Sequence, residues 1–188
     1  MSLDAFRPFE SPRLCIRKVD AADLEDLLIV NGDDRVTRFL PYASWRNLDD
    51  GKAWLERMNT FMAEGNTLQL VICEQESGQV IGTCILFRYD ADSRRAELGY
   101  VMAHSHWRQG YTIEALHALL VYAFSDLKLR RIEAEVEPDN VASNKLLLKL
   151  GFTREGLLRQ RWLGNGQHYD TNIYGLLSHE WPAAERHG

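Results

Sequence analysis

The stretch from Ala96 to Leu116 places a strand, a short loop, a glycine-containing turn and a helix in immediate succession. A helix start leaves several backbone N–H groups without intrahelical partners, and the positive end of the helix dipole lies behind them. Gly110 stands at this start, and glycine allows a ligand to approach the backbone closely. These features suit a pyrophosphate. A plain strand-to-helix turn accounts for the same residues, and the residues alone leave both interpretations open.

Metal and thiol chemistry find little support elsewhere in the sequence. His104 and His106 are spaced for a metal, but no cysteine or carboxylate stands at ligand spacing nearby, so we interpret them as exposed loop histidines. The cysteines have no CxxC or CxxH spacing and fall in apolar runs. We therefore expect Cys15, Cys73 and Cys84 to be small core residues.

The composition is that of a soluble globular chain of 188 residues, with 45% hydrophobic and 26% charged residues. Asp and Glu total 27 against 22 Lys and Arg, which gives a formal net charge of -5. This balance argues against a nucleic-acid backbone binder and against a polybasic membrane anchor. The first residues lack the apolar core of a signal peptide, and the stretch 115–125 is too short to span a bilayer. We expect a cytoplasmic protein that binds neither nucleic acid nor membrane.

The elements that must position the turn at Gly110 follow from hydrophobic periodicity and turn residues. The first half predicts a strand, a helix capped by Asp20, a short helical piece and a helix opened by Asn47. The second half predicts six strands and two helices. The expected strands lie at 13–19, 68–73, 80–89, 96–102, 131–136, 152–163 and 168–177, and the expected helices at 20–28, 36–40, 47–65, 110–127 and 140–150.

The predicted order is that of a single α/β domain with a mixed central sheet flanked by helices. No linker or repeat divides the chain, so we assign the domain to residues 1–188, with a core at about 11–180. Residues 164–166 read as a hairpin turn. Trp54, Met58 and Phe61 recur at helical spacing and are expected to face the core.

Five stretches resemble the GNAT superfamily of acyl-CoA-dependent N-acetyltransferases, and within it the ribosomal-protein N-terminal (RimJ/RimL-type) branch. The matching stretches are Ser11–Arg17, Ala96–Tyr100 with Trp107–Tyr111 and Glu114–Ala115 (motif A), Glu137–Asn144, Leu150–Phe152, and His168–Tyr174. They keep the family's order over about residues 11–180, which makes the resemblance specific. It implies a GNAT-type mixed sheet and acetyl-CoA as co-substrate, with no metal.

The resemblance also implies where acetyl-CoA lies, in a V-shaped gap between two parallel strands. The strand before the turn is expected to bind the pantetheine through the backbone of Tyr100, Val101 and Met102. Backbone N–H groups of the turn are expected to hold the pyrophosphate, and such a nest of amides needs no basic protein. The residues concerned are Arg108, Gln109, Gly110, Tyr111 and Thr112. Trp107 and Thr112 depart from the superfamily's [QR]-x-x-G-x-[GA] pattern, so only their backbone is assigned a role.

Acetyl transfer requires a base for the amine, a donor to the developing oxyanion and a partner for the leaving thiolate. The resemblance makes Glu97 the candidate base, acting directly or through water, with a solvated strand glutamate as the alternative. A backbone N–H near Met102 is the expected oxyanion donor. Many superfamily members place a tyrosine acid where this chain has Leu147. Ser143, one turn earlier, is therefore the predicted thiol partner, with an ordinary helix serine as the alternative, and Asn140 is expected to cap the helix, to contact the cofactor, or both.

Three further side chains have open interpretations. Arg130 and Arg131 either reach the 3′-phosphate of CoA or form a surface pair that opens a strand. Asp170 is either structural or an acceptor contact.

The acceptor expected from the resemblance is the α-amine of a protein N-terminus, such as that of a ribosomal protein. A small amine (an aminoglycoside, polyamine or amino acid) is the first alternative. A CoA-binding module without catalysis is the second, and only the missing tyrosine at Leu147 favours it. The acceptor pocket would lie between the helices of residues 20–65 and the hairpin at 164–166, which have no readable specificity code. A homodimer is expected only from the general frequency of dimers.

Overall fold

The computed structural model of the chain describes residues 3, 6–164 and 166–181. One eight-stranded sheet has the strand order β1-β2-β3-β4-β5-β6-β8-β7. The strands are β1 Phe9–Glu10, β2 Leu14–Lys18, β3 Leu68–Glu74, β4 Val80–Asp90, β5 Arg95–Met102, β6 Arg131–Val136, β7 Thr153–Gly164 and β8 Gln167–Leu177. The helices are α1 Leu24–Asn31, α2 Asp34–Thr37, α3 Leu48–Ala63, α4 Tyr111–Ser125 and α5 Val141–Lys149.

Helices cover both faces of this sheet. The larger core lies on the face of α4 and α5, where Leu116, Leu120 and Leu147 are fully buried against the strands. The smaller core lies on the other face, where Leu27 of α1 and Trp54 of α3 pack together with strand residues. Among the described residues, no helix has the length and apolarity that a bilayer span requires.

The strands are antiparallel to their neighbours except for β5 and β6, which are parallel and are connected through α4. A parallel pair needs such a crossover because its second strand must start again from the same end of the sheet. The crossover puts the start of α4 immediately after the carboxyl end of β5. The turn at Gly110 therefore lies at the end of the sheet where β5 finishes.

The predicted mixed α/β sheet is confirmed, and the predicted strands and helices recur with shifted ends. The prediction missed the two-residue strand β1, because Phe9–Glu10 is too short to show an alternating pattern. Phe61 is wrong as a core residue: its exposed fraction is 43%, because the inward side of α3 is centred on Leu55, Met58 and Met62, and Phe61 lies at the edge of that side in the last turn of the helix. Cys15 is half-buried rather than fully buried. In the predicted turn at 164–166, Asn165 lies outside the described residues.

Candidate active site

The central feature of the candidate site is the separation of β5 from β6. The two strands pair only from Arg95 to Glu97, with Glu97 opposite Glu133. Beyond that pair β5 continues to Met102, held by β4, and β6 continues to Val136, held by β8. Along this fully described stretch the two strands therefore diverge, and a gap opens towards the start of α4. This is the V-shaped gap that the resemblance implies.

The phase of the β4–β5 ladder decides which backbone groups face this gap. Ala103 N–H donates to the carbonyl of Ile81 at 2.8 Å. Since hydrogen-bonded pairs alternate in an antiparallel ladder, Val101 also directs its N–H and C=O towards β4. The backbone groups of Tyr100 and Met102 face the gap instead. The predicted pantetheine contacts thus suit Tyr100 and Met102, whereas a backbone contact from Val101 does not fit this register.

The turn before α4 presents free amides, as predicted. Gly110 is the residue before the helix and has φ +85°, with no side chain capping the helix. The first helical bond runs from Glu114 N–H to the Gly110 carbonyl at 3.1 Å, so the preceding amides have no partner within the helix. Arg108 also has a positive φ, of 59°. Successive amides in such conformations form a concavity that binds anions, and the residues present therefore fit a pyrophosphate.

An arginine near the N-terminus holds this turn in place. Arg13 donates from Nε to Glu114 Oε2 at 2.7 Å and from Nη1 to the Gln109 carbonyl at 3.1 Å. Its guanidinium also lies over the Tyr111 ring, 4.0 Å from the centroid. Glu114 lies in the first turn of α4, where its charge would oppose a bound anion. Arg13 neutralises that charge, so the positive end of the helix remains available.

Aromatic residues fix the turn to the strands on either side. The Trp107 indole N–H donates to the Met102 carbonyl at 2.8 Å, and the Tyr111 hydroxyl donates to Glu74 Oε1 at 2.7 Å. His104 contacts the Trp107 ring, and His104 and His106 are both half-buried. Neither is therefore the exposed loop residue that we expected. Among the described residues, no group of three or more His, Cys, Asp or Glu is placed to hold a metal ion.

Glu97, the predicted base, lies where the two strands part. Alternation along β5 places it on the face opposite α4, and its exposed fraction is 8%, so the alternative of a solvated strand glutamate does not hold. Arg88 Nη1 is 2.7 Å from Glu97 Oε2 and 3.7 Å from Glu135 Oε1. Burial raises the pKa of Glu97, Arg88 opposes this, and the nearby Glu135 charge adds to it. The carboxyl group can therefore take a proton readily once Arg88 is displaced.

Ser143, the predicted thiol partner, lies on the other face of the sheet. Asn140 caps α5 by accepting the Ser143 N–H at 3.2 Å, which confirms its predicted capping role. The Ser143 side chain is half-buried and lies beside the Tyr100 phenol, whose pKa is raised by burial and lowered in part by Ser143. Leu147, where the resemblance leads us to expect a tyrosine, is fully buried in the core.

The open interpretations of Arg131 and Asp170 resolve towards structure. Arg131 pairs with Arg95 at the start of β5, about 23 Å of strand away from Met102, so it is remote from the turn. It forms ion pairs with Glu133 and Glu155 instead. Asp170 accepts the N–H of Gln160 at 2.8 Å, which makes it part of the β7–β8 hairpin.

Several side chains that complete the site were not predicted from the sequence. Arg88, Glu135 and Arg161 form a connected ion-pair group beside Glu97, and Trp162 joins it through its indole N–H. Glu135 could have been identified from the sequence, because it is a charged residue inside the short strand β6. It stands two positions after Glu133, the residue that pairs with Glu97. The others come from distant segments, and their proximity depends on the sheet order.

The chain is similar in sequence to a known protein family and to several of its members. Residues 13–153 match the family model of the acetyltransferase (GNAT) domain. The chain is 35% identical over 169 residues to the N-acetyltransferase p20 of Bacillus licheniformis, covering 90% of this chain and 95% of that one. It is 34% identical over 99 residues to the ribosomal-protein-serine acetyltransferase of Escherichia coli, covering 53% and 55% of the two chains.

A solved structure shares the fold over almost the full chain. The spermidine N-acetyltransferase of Vibrio cholerae, in complex with CoA and spermine, superposes with a TM-score of 0.80 at 21% identity. The match covers 91% of this chain and 99% of that one.

The turn at Gly110 gives the first prediction. Gly110→Val should weaken CoA binding by about 2 kcal/mol, because a β-branched residue is strained at φ +85° and the strain shifts the amides. Calorimetric titration with CoA measures this. Gly65→Val is the control, since Gly65 has φ +75° and open space around it at the other end of the sheet. Wild-type CoA affinity in Gly110→Val would place the phosphates elsewhere.

The second prediction concerns Arg13. Arg13→Ala should lower CoA affinity severalfold, because it leaves the Glu114 carboxylate unpaired in the first turn of α4. Adding Glu114→Gln should restore most of the affinity, since the opposing charge is then gone. Arg17→Ala, which breaks the ion pair between Arg17 of β2 and Asp23, should lower the melting temperature without changing CoA affinity. If the double variant binds CoA no better than Arg13→Ala, charge at the helix start is not the cause.

The third prediction concerns the pH dependence of Glu97. Activity should fall as the pH drops through the raised pKa of Glu97, because the protonated carboxyl group cannot accept the amine proton. Glu97→Gln should lower kcat about 100-fold or more, remove this acid limb and leave CoA affinity unchanged. Glu133→Gln, on the same face but paired with Arg95 and Arg131, should keep the limb. An acid limb that survives in Glu97→Gln assigns the base to another group.

Proposed function

This chain belongs to the GNAT acetyltransferase family, and from that premise we propose that it acetylates the α-amine at the N-terminus of a protein. The chain is an N-acetyltransferase that uses acetyl-CoA as its co-substrate. The proposal concerns the acceptor.

The observation that supports a protein acceptor is the arm formed by β7 and β8. β6 pairs with β8 only from Asn172 to Leu177, so the rest of the hairpin extends beyond the sheet as two strands. Its large apolar side chains are exposed: Leu158 by 41%, Trp162 by 45% and Leu163 by 71%. Exposed apolar groups at the end of an arm favour contact with another chain.

The arm also reaches the residues around the predicted base. The Trp162 indole N–H donates to Glu135 Oε2 at 3.3 Å, and Arg161 binds the same carboxylate at 3.0 Å. Glu135 is linked through Arg88 to Glu97. A peptide lying along the arm would therefore bring its terminal amine to Glu97, with its following residues on the apolar side chains.

The charge balance around Glu97 favours an acceptor with one positive charge. Among the described residues, this ion-pair group joins five carboxylates to four guanidinium groups. They are Asp90, Glu97, Glu133, Glu135 and Glu155, with Arg88, Arg95, Arg131 and Arg161. The surplus of one negative charge in the group is too small for the several ammonium groups of a polyamine. A single α-ammonium group needs only one carboxylate.

The family's reaction assigns each residue a task. When bound, acetyl-CoA supplies an acetyl group activated as a thioester. The amides from Arg108 to Thr112 hold its pyrophosphate, and the backbone of Tyr100 and Met102 orients the pantetheine. Glu97 accepts the proton of the acceptor amine after Arg88 moves towards Glu135, and the Met102 N–H donates to the developing oxyanion.

The relatives are consistent with either class of acceptor. The Escherichia coli relative is named a ribosomal-protein-serine acetyltransferase and matches about half of this chain. The Vibrio cholerae structure is of a spermidine N-acetyltransferase, at an identity that shows the fold alone. The arm and the charge balance therefore carry the proposal of a protein N-terminus.

The fourth prediction tests this acceptor by measuring thiol release from acetyl-CoA. Peptides with a free N-terminus and apolar residues at positions two to four should give kcat/KM at least tenfold above spermidine, and the same peptides with a blocked N-terminus should be inert. Trp162→Ala should lower kcat/KM for the peptides without changing KM for acetyl-CoA. The matched control is Phe61→Ala, another exposed aromatic residue, which lies on α3.

Faster acetylation of spermidine than of every peptide would contradict the proposal. An unchanged peptide kcat/KM in Trp162→Ala would remove the arm from acceptor binding.

A further inference from the structure

Two buried polar atoms beside the separated strands have no hydrogen-bond partner among the described residues. They are the hydroxyl of Tyr100 and the side-chain oxygen of Asn172. Tyr100 lies on β5 three residues beyond the last β5–β6 pair, and Asn172 is paired with Val136, three residues beyond that pair on β6. The two atoms therefore lie at the same level, Tyr100 beside the gap and Asn172 one strand further out, on β8 beyond β6. Because an unsatisfied buried polar group is destabilising, a polar ligand in the gap is the expected partner of the Tyr100 hydroxyl.

The Tyr100 side chain lies on the face of α5. Alternation places it on the same side as Leu98 and Met102, which belong to the larger core, and its ring packs against that core. Its neighbours are Ser143 and Tyr174, which both affect its pKa. The Tyr174 hydroxyl already donates to Asn144 Oδ1 at 2.6 Å, and Ser143 is the predicted partner of the thiol. A group that reaches Ser143 through the gap therefore also reaches the Tyr100 hydroxyl.

We propose that the Tyr100 hydroxyl is the hydrogen-bond donor to the sulfur of CoA as the acetyl group leaves. The acceptor nitrogen forms a bond to the acetyl carbon, and the bond between that carbon and the sulfur breaks. The electron pair of this bond stays on the sulfur, and the resulting thiolate accepts the hydrogen bond from Tyr100 Oη. Glu97 accepts the proton that the nitrogen loses, and the thiolate is protonated from solvent as CoA leaves.

Two properties of Tyr100 suit this role. Burial raises the pKa of its phenol to about 12, so the phenol keeps its proton and can donate it in a hydrogen bond at any pH at which the thiolate forms beside it. Among the described residues, the hydroxyl has no hydrogen-bond partner that would compete with the sulfur. Leu147 lacks the phenol that the resemblance places on α5, and Tyr100 presents a phenol from β5 instead.

The inference depends on the acetyl-transfer reaction and not on the identity of the acceptor. Its first test is therefore a binding measurement that needs no amine. CoA and desulfo-CoA, which lacks the sulfur, are titrated into the wild type and Tyr100→Phe at about pH 7 and pH 9, below and above the ordinary pKa of a thiol. Tyr100→Phe should weaken binding of CoA at pH 9 at least fivefold and leave desulfo-CoA unaffected at both pH values.

The second test is the single-turnover rate with any amine that the wild type acetylates. Tyr100→Phe should lower this rate at least tenfold, and more than Ser143→Ala does. The melting temperature should not fall, because the lost hydroxyl has no partner. Tyr122→Phe, which removes a phenol from α4 whose ring stacks on Phe9, should match the wild type in all measurements.

Equal loss of affinity for CoA and desulfo-CoA would overturn the proposal, since the hydroxyl would then contact the pantetheine rather than the sulfur. Unchanged binding at pH 9, or an unchanged single-turnover rate, would overturn it as well.

Discussion

The structure of the site depends on where β5 and β6 stop pairing. Parallel strands that stay paired would close the sheet and leave no unsatisfied backbone groups between them. Here each strand is held on its outer side, β5 by β4 to Met102 and β6 by β8 to Val136, so both remain ordered after they diverge. The backbone groups of β5 that face the gap are therefore fixed in position without a partner on β6, which is the condition for binding an extended ligand along a strand. Among the described residues, only the Met102 carbonyl is engaged, by the Trp107 indole N–H.

The crossover between the two separated strands also places a helix start beside the gap, and this helix start explains how an acidic protein can bind a strongly anionic nucleotide. The phosphates are expected at a helix start, where the amides and the dipole supply the attraction and surface lysines are not needed. The acidic residue in this helix turn, Glu114, is neutralised by Arg13, which also fixes the turn through the Gln109 carbonyl. The net charge of -5 thus arises from residues elsewhere on the chain, and it does not determine the electrostatic field at the turn.

The sequence predicts those parts of the site that depend on local order along the chain. The turn at Gly110, the cap at Asn140 and the strand with Glu97 are each local, because a glycine with positive φ, a side-chain cap and a strand pattern involve neighbouring residues. The ion pair between Arg88 and Glu97 was not predictable, because it depends on a bulge in β4 that sets the direction of Arg88.

The phase of the β4–β5 hydrogen-bond ladder could not be predicted from the sequence either. Strand alternation tells which side chains share a face, but the neighbour to which each backbone N–H is directed depends on the register with β4. For that reason Val101 was grouped with Tyr100 and Met102, although its backbone belongs to the β4 ladder. The opening in the sheet gives access from both faces, with Glu97 on one and Ser143 with Tyr100 on the other. In the proposed mechanism, the proton of the amine is accepted on one face of the sheet and the sulfur is hydrogen-bonded on the other, so the buried carboxyl group and the buried phenol act in separate environments within one site.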